Sequence, residues 1–299
     1  MKKKTEEKNA LNFQIINLEE SSIIVRIYRY FYSLFQERKE FNPFVKYFQF
    51  LVEGLQIISY AFSDIHANSW ANDHKKYKII EYVRISTIMK YLNYEAFQVV
   101  FYFLFFIIII FSLVILLHIC FIDSKSKIYQ LTTTIIRSSI DIIAVILYIS
   151  IMEIFLIPIK CKDGKVSGVK NEFKCEGSSY YLHLVVGIIG TIWIFLWSCF
   201  VLSFSFYPFQ NSTSTIRINS YNDIIILIIK FIFVFQNILI TNQYLSLGIL
   251  LLFSIYVFFK CFNESTYNNK NLEVAVTLRN FCILWTYFVL INGQLISYQ

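Results

Sequence analysis

From Glu95 to Phe121 the chain runs through 27 residues of almost unbroken Phe, Ile, Leu and Val, with no charged side chain after Glu95 itself. At a helical rise of roughly 1.5 Å per residue, about 20 apolar residues cross about 30 Å of hydrocarbon. In lipid every backbone polar group needs an internal partner, so a stretch like this folds as a helix. The same reading finds further segments at 44–63, 137–159, 180–206, 222–240, 243–261 and 276–296, seven in all. Composition agrees: 57% of the 299 residues are hydrophobic and 16% charged, and the mean hydropathy is +0.55. With Phe 31 and Tyr 21 against Gly 8 and Pro 3, disordered, collagen-like and disulfide-scaffold classes are excluded. The expected fold is an all-α polytopic membrane protein of about seven transmembrane helices.

The ends and junctions of these segments set further expectations. Residues 11–40 place Ser22, Arg26, Arg29, Ser33, Gln36 and Glu40 on one helical face and Ile23, Ile24, Ile27, Tyr30, Phe31, Leu34 and Phe35 on the other. Such a helix lies in the membrane interface or packs under the bundle. The expected organisation is therefore a cytoplasmic segment at 1–43 and a multi-pass domain at 44–299. The first residues carry positive charge but no apolar run, so they are not a signal peptide. Only Thr241 and Asn242 separate the fifth and sixth segments, which makes them a tight helical hairpin or one broken region.

The net charge of +7 would point to nucleic acid in a soluble domain. Here the basic residues flank apolar segments, so membrane lipids are the expected partner and nucleic acid is not. The lysine and arginine bias places the N-terminus in the cytoplasm. The sequons at Asn211 and Asn263 then lie inside and go unused. Cys161 and Cys175 flank a polar loop on the exoplasmic side, where a disulfide is expected; two free thiols or an incomplete metal pair are the alternatives. The other cysteines read as small hydrophobes.

Ionisable residues inside spans are where transport chemistry would sit, since each is costly unless paired or hydrated. Glu53, Glu153 and Lys230 are the candidates, with Asp141 and His118 near span ends. Lys230 lacks an acid three or four positions away, so its partner, Glu153 or Glu53, comes from another helix. The three form either an ion path or buried structural pairs. His66, Asp73 and His74 have zinc-ligand chemistry without zinc spacing, and no metal is expected. His183 reads as an interfacial anchor beside Tyr180 and Tyr181. Gly187 and Gly190 are three apart and do not make the four-residue small-residue packing motif. No phosphate loop, nucleophile elbow, HExxH or CxxC is present, so neither catalysis nor a cofactor is expected.

Three stretches together resemble parts of a known family. VKYFQFLVEGLQIISYAFS with Ser69 and Trp70 behind it, the segment from Ile151 to Pro158 leading into Cys161, and FKCEGSSYYLHLVVGIIG from Phe173 resemble the membrane region of the tiny-macrocysts-like family. These are large proteins of ciliates and other protists, many described as PAS S-box transmembrane proteins. The resemblance spans residues 40 to 295. It implies a multi-pass bundle, a cysteine-flanked exoplasmic loop matching Cys161 and Cys175, and a large cytoplasmic part after the bundle. This sequence stops at Gln299, where that family continues. The expected role is a membrane anchor and signal-input module of a sensor-like assembly. The rivals are a transporter or channel using the intramembrane charges, and an accessory subunit of a membrane complex with protein partners.

Overall fold

The computed structural model describes residues 26–27, 30–31, 43–63, 66, 78–121, 131–133, 135–136, 139–140, 142–162, 164–166, 169–170, 173–204, 220–240, 242–264 and 270–297. The described residues are overwhelmingly helical. In chain order they form α1 (Pro43–Ile58), α2 (Tyr94–Cys120), α3 (Tyr148–Leu156), α4 (Ser178–Phe204), α5 (Ser220–Leu239), α6 (Gln243–Asn263) and α7 (Lys270–Ser297). Four of them are long and apolar enough to cross a membrane: α2, α4 over Ser178–Ser203, α6, and α7 over Lys270–Leu295. At most 33% of the residues in any of these spans is buried, so most of their apolar surface faces outward. On α2 the outward stripe is Val99, Phe103, Phe106, Ile110, Leu113 and Leu117, at alternating steps of three and four. An apolar face of this extent fits acyl chains as its surroundings.

The remaining expected segments are less regular. α1 tightens into a 3₁₀ turn over Ser59–Phe62. The third segment opens as a π-helix over Ile142–Leu147 before α3, and Pro158 closes it in a 3₁₀ turn over Ile157–Ile159. Proline has no N–H to continue an α-helix, which accounts for that stop. Gln56 of α1 donates to the Ile146 carbonyl of the π segment at 2.9 Å. α5 and α6 are separate helices. Asn242 caps α6, its side-chain oxygen accepting from the backbone N–H of Tyr244 and Leu245, which satisfies two of the donors a helix start leaves open.

Contacts group the chain into two compact units, Met1–Arg38 with Ile109–Ser139 and Lys39–Ile108 with Ile140–Gln299. In the first, Tyr30 and Phe31 are buried with ring centroids 5.3 Å apart, and Tyr30 lies 6.3 Å from His118. Arg26, which is exposed, and Ile27 are also helical; the other residues of the expected interfacial helix at 11–40, together with Asp73, His74, Asp141 and Asn211, lie outside the described residues. In the second unit one apolar core runs from Phe97, Phe101 and Phe155 through Tyr60 and Phe233 to Tyr287 and Leu290.

Two glycines set the closest helix approach in that core. A Cβ on Gly187 would lie 2.2 Å from the carbonyl oxygen of Phe155, and one on Gly190 would lie 3.0 Å from the Phe155 ring. Their three-residue spacing does not match the familiar small-residue motif. The structure nevertheless uses them as one, because positions three apart share a helix face.

The loop expected on the exoplasmic side is a small ribbon. β1 (Cys161–Lys162) pairs antiparallel with β2 (Lys165–Val166), turning at Gly164, whose φ of 75° suits glycine. Cys161 and Cys175 are bonded, with sulfurs 2.04 Å apart. The loop folds back on the bundle: the N–H of Lys170 donates to the Leu92 carbonyl at 3.0 Å, and Phe173 lies 4.6 Å from the Tyr94 ring. Closing about 15 residues is worth roughly 3 kcal/mol in the chain-entropy model. Alkylation of the unfolded chain without reductant should label the four free cysteines, Cys120, Cys199, Cys261 and Cys282, and two more after reduction. Six labels in both samples, read by intact mass, would contradict the bond.

Candidate functional site

The buried charges Glu53, Glu153 and Lys230 separate into two clusters, each built across helices. Glu53 of α1 accepts from Lys230 of α5 at 2.5 Å and from Nη1 of Arg279 on α7 at 2.6 Å. Arg279 continues through Nε to Oδ1 of Asn280 at 3.1 Å, and its guanidinium sits 5.5 Å from the Phe50 ring centre. Gly54 makes room for it, since a Cβ there would lie 2.9 Å from Cγ of Arg279. Beside this cluster is a cavity of about 20 Å³, lined by Lys230, Arg279, Asn280 and Ser254 among apolar side chains, and by neither carboxylate.

Glu153 of α3 has different partners. Arg84 donates to it from Nη1 at 2.8 Å, Ser86 donates through its hydroxyl, and Asn237 of α5 reaches it at 3.5 Å. Arg84 lies between two 3₁₀ segments, Lys78–Val83 and Ile85–Tyr91. Its guanidinium stacks 4.5 Å over the Tyr60 ring, a favourable place for a desolvated cation. The neighbouring Ile85 N–H donates to the Ser150 hydroxyl at 3.2 Å. A segment expected as exoplasmic loop is thus pinned to the bundle interior by a buried ion pair, both side chains being under 10% exposed.

Between the clusters stand Tyr60, Phe233 and Tyr287, with Phe233 6.3 Å from each tyrosine ring. Tyr287 donates to the Ile57 carbonyl at 2.6 Å. Of the two partners expected for Lys230, Glu53 is the one it meets, and Glu153 is held by a cation that the span pattern does not flag. Sequence reasoning missed both arginines because Arg84 and Arg279 look like loop and flank residues. The available signals were the apolar neighbours of Arg84, Val83 and Ile85, and the placement of Arg279 three residues inside the expected seventh span.

His183 corrects another expectation. It is buried, not an interfacial anchor, and lies among the rings of Tyr102, Phe101 and Phe173 at 5.1, 5.5 and 5.8 Å. Its Nδ1 meets the Ser179 carbonyl at 2.5 Å, which fixes that nitrogen as the donor. Its neighbours draw it inward: α2 and the disulfide loop together wall off the start of α4.

His66 is also buried, with Nε2 3.4 Å from the Ser246 hydroxyl. Burial pulls its pKa down from 6.5 to about 4. The folded protein therefore keeps it neutral while the unfolded chain takes up a proton below about 6.5. Stability should fall as pH drops from about 6.5 towards about 4, with no further loss from this group below that. Thermal midpoints at pH 7.5 and 5 check this, and His66→Gln should flatten the difference.

No cluster of metal-ligating side chains occurs among the described residues. No protein-family model, curated protein or solved structure matches the chain.

Proposed function

We propose that this chain is a multi-pass membrane module, crossing seven times with a cytoplasmic N-terminus, that anchors a larger assembly and passes on input from its exoplasmic face without catalysis of its own. The antiparallel order supports the crossing number. Ser63 and His66, residues 84–92, the disulfide loop and Ser246 meet at one end of the second unit, while Phe50, Cys261, Leu272 and Val276 pack together at the other. The disulfide favours an oxidising compartment for the first of these ends. The resemblance of residues 40 to 295 to the tiny-macrocysts-like membrane region supports the anchoring and input role.

The observation that carries the reading is the buried Arg84–Glu153 pair. It couples the exoplasmic 3₁₀ segments directly to α3, so displacement of those segments cannot occur without disturbing the helix core. The charges fit transport less well, because each carboxylate is satisfied by a local cation and neither lines the cavity beside Lys230 and Arg279.

Glu153→Gln tests this in the full chain in lipid. Amide exchange should rise over residues 78–92 and also on α1 and α5, through Tyr60 and Asn237. A rise confined to residues 78–92 would leave a plain anchor. Ion flux in proteoliposomes that is lost on Glu53→Gln would overturn the reading in favour of transport.

A further inference from the structure

Residues 82–91 have the polarity of a water-facing segment turned inside out. Ile85, Ile88 and Tyr91 are each 42–51% exposed, whereas Ser86 and Thr87 are buried. A 3₁₀ helix has three residues per turn, so positions three apart share one face. Tyr82, also exposed, joins that face from the preceding 3₁₀ segment: its ring stacks on Tyr91 at 5.8 Å, and the two hydroxyls meet at 2.6 Å. Arg84 and Ser86 turn the other way, inward to Glu153.

The level of this face follows from α3 and α4. The starts of α2 and α4 adjoin, the Ser179 and Tyr94 hydroxyls bonding at 2.9 Å. Phe155 meets Gly187, nine residues into α4. Ser150, which accepts from the Ile85 N–H, is five residues further from the disulfide loop. Ile85 therefore stands roughly 20 Å of helix rise inward from the adjoining ends of α2 and α4, both long and apolar enough to span. Seven residues of 3₁₀ helix climb about 14 Å of the way back, and the extended backbone of Leu92 carries the chain on to Tyr94. Backbone polar groups at such depth need protein partners. The break between the two 3₁₀ segments meets that demand: Arg84 is 3% exposed, its carbonyl accepts from the Thr87 N–H at 2.9 Å, and the Ile85 N–H has Ser150.

We propose that residues 82–91 form a re-entrant element whose outer face, Tyr82, Ile85, Ile88 and Tyr91, packs against the acyl chains of the bilayer. The order of side chains along Ile85–Tyr91 selects lipid as the occupant. Ile85 and Ile88 come at the deep end. Lys90, the one charged residue of the segment, and Tyr91 come at the end nearest Tyr94, where headgroups receive long cations and tyrosine hydroxyls. A protein partner has no need of that gradient with depth. Continuity agrees, since the chain passes from this face directly into α2, whose outward apolar stripe starts at Val99. The placement rests on α2 and α4 spanning the membrane, and not on any relayed signal.

The test uses the unaltered chain in phosphatidylcholine nanodiscs, with modified residues read by mass spectrometry. An aryl diazirine dissolved in the acyl chains should label Ile85 and Ile88 as strongly as Val99, Phe103 and Phe106 of α2. Hydroxyl radicals made in the water should leave the two isoleucines unmodified, although both are oxidised in the unfolded chain. Oxidation of Ile85 and Ile88 would put the face in water, and protection from both reagents would put it under protein; either result overturns the proposal while α2 remains labelled. An unlabelled α2 stripe would overturn the membrane placement itself. Ile88→Asp gives a second readout: it should lower the thermal midpoint in nanodiscs while Ile88→Leu does not, and equal midpoints for the two would return the segment to a water-facing loop.

Discussion

Replacing Glu53 with glutamine should destabilise this protein far more than removing either of the cations it holds. Lys230→Met leaves Glu53 paired with Arg279, and Arg279→Met leaves it paired with Lys230, so in each case a neutral buried pair survives. Glu53→Gln leaves two cations facing each other with no carboxylate between them. Breaking a buried pair so that a charge is stranded costs about 3–5 kcal/mol, and here two charges are stranded. The expected order of thermal midpoints in detergent is therefore unaltered protein, then the two cation variants close together, then Glu53→Gln well below them. Adding Lys230→Met to Glu53→Gln should restore part of the loss, because one of the stranded cations is removed with its partner. A Glu53→Gln variant as stable as Lys230→Met would mean that the three side chains do not share one site.

Gly187→Val should be the most damaging single change on α4. The added Cβ would overlap the Phe155 carbonyl oxygen at 2.2 Å, and a backbone atom cannot swing aside as a side chain can. Overpacking of a tight core costs typically about 1–3 kcal/mol, and valine adds two further methyl groups to the clash. α3 would have to move away from α4, and α3 carries Glu153. Loss of the packing should thus appear twice, as a lower thermal midpoint and as faster amide exchange over residues 78–92. Gly248→Ala on α6 is the control: nothing lies within 4 Å of its added Cβ, and alanine gains about 1 kcal/mol of helix propensity over glycine. If the two variants behave alike, Gly187 does not mark the closest approach.

These two predictions divide along what the residues reveal by themselves. Length and apolarity locate α2, α4, α6 and α7 because spanning lipid is a constraint on single segments, satisfied residue by residue along the chain. That Lys230 needs an acid from another helix is also legible, since no acid stands one turn away on α5. Which acid it meets depends on three-dimensional packing. Arg84 and Arg279 show why the rest was hidden: a cation near a span end reads the same whether it snorkels to headgroups or turns inward to a carboxylate. Both count in the lysine and arginine bias that sets the expected orientation, Arg84 on the expected exoplasmic side and Arg279 on the expected cytoplasmic side. Their burial removes one from each count and leaves the orientation bias unchanged. The π segment before α3 and the partnership of Gly187 with Phe155 leave still less trace, because both depend on the shape of a neighbour.

The Glu53 cluster also imposes an order on biosynthesis. Glu53 is synthesised first, and its partners follow 177 and 226 residues later. At roughly 5–20 residues per second, the carboxylate waits about 10–35 s before Lys230 is made. During that interval α1 holds an ionisable group in its middle with no cation yet available from α5 or α7. The ion pairs of Glu53 with Lys230 and Arg279 can form only once α5 and α7 have been made. Assembly of the membrane domain is thus tied to the completion of its last helices, and a nascent chain stalled before Lys230 should be a preferred substrate for membrane quality control.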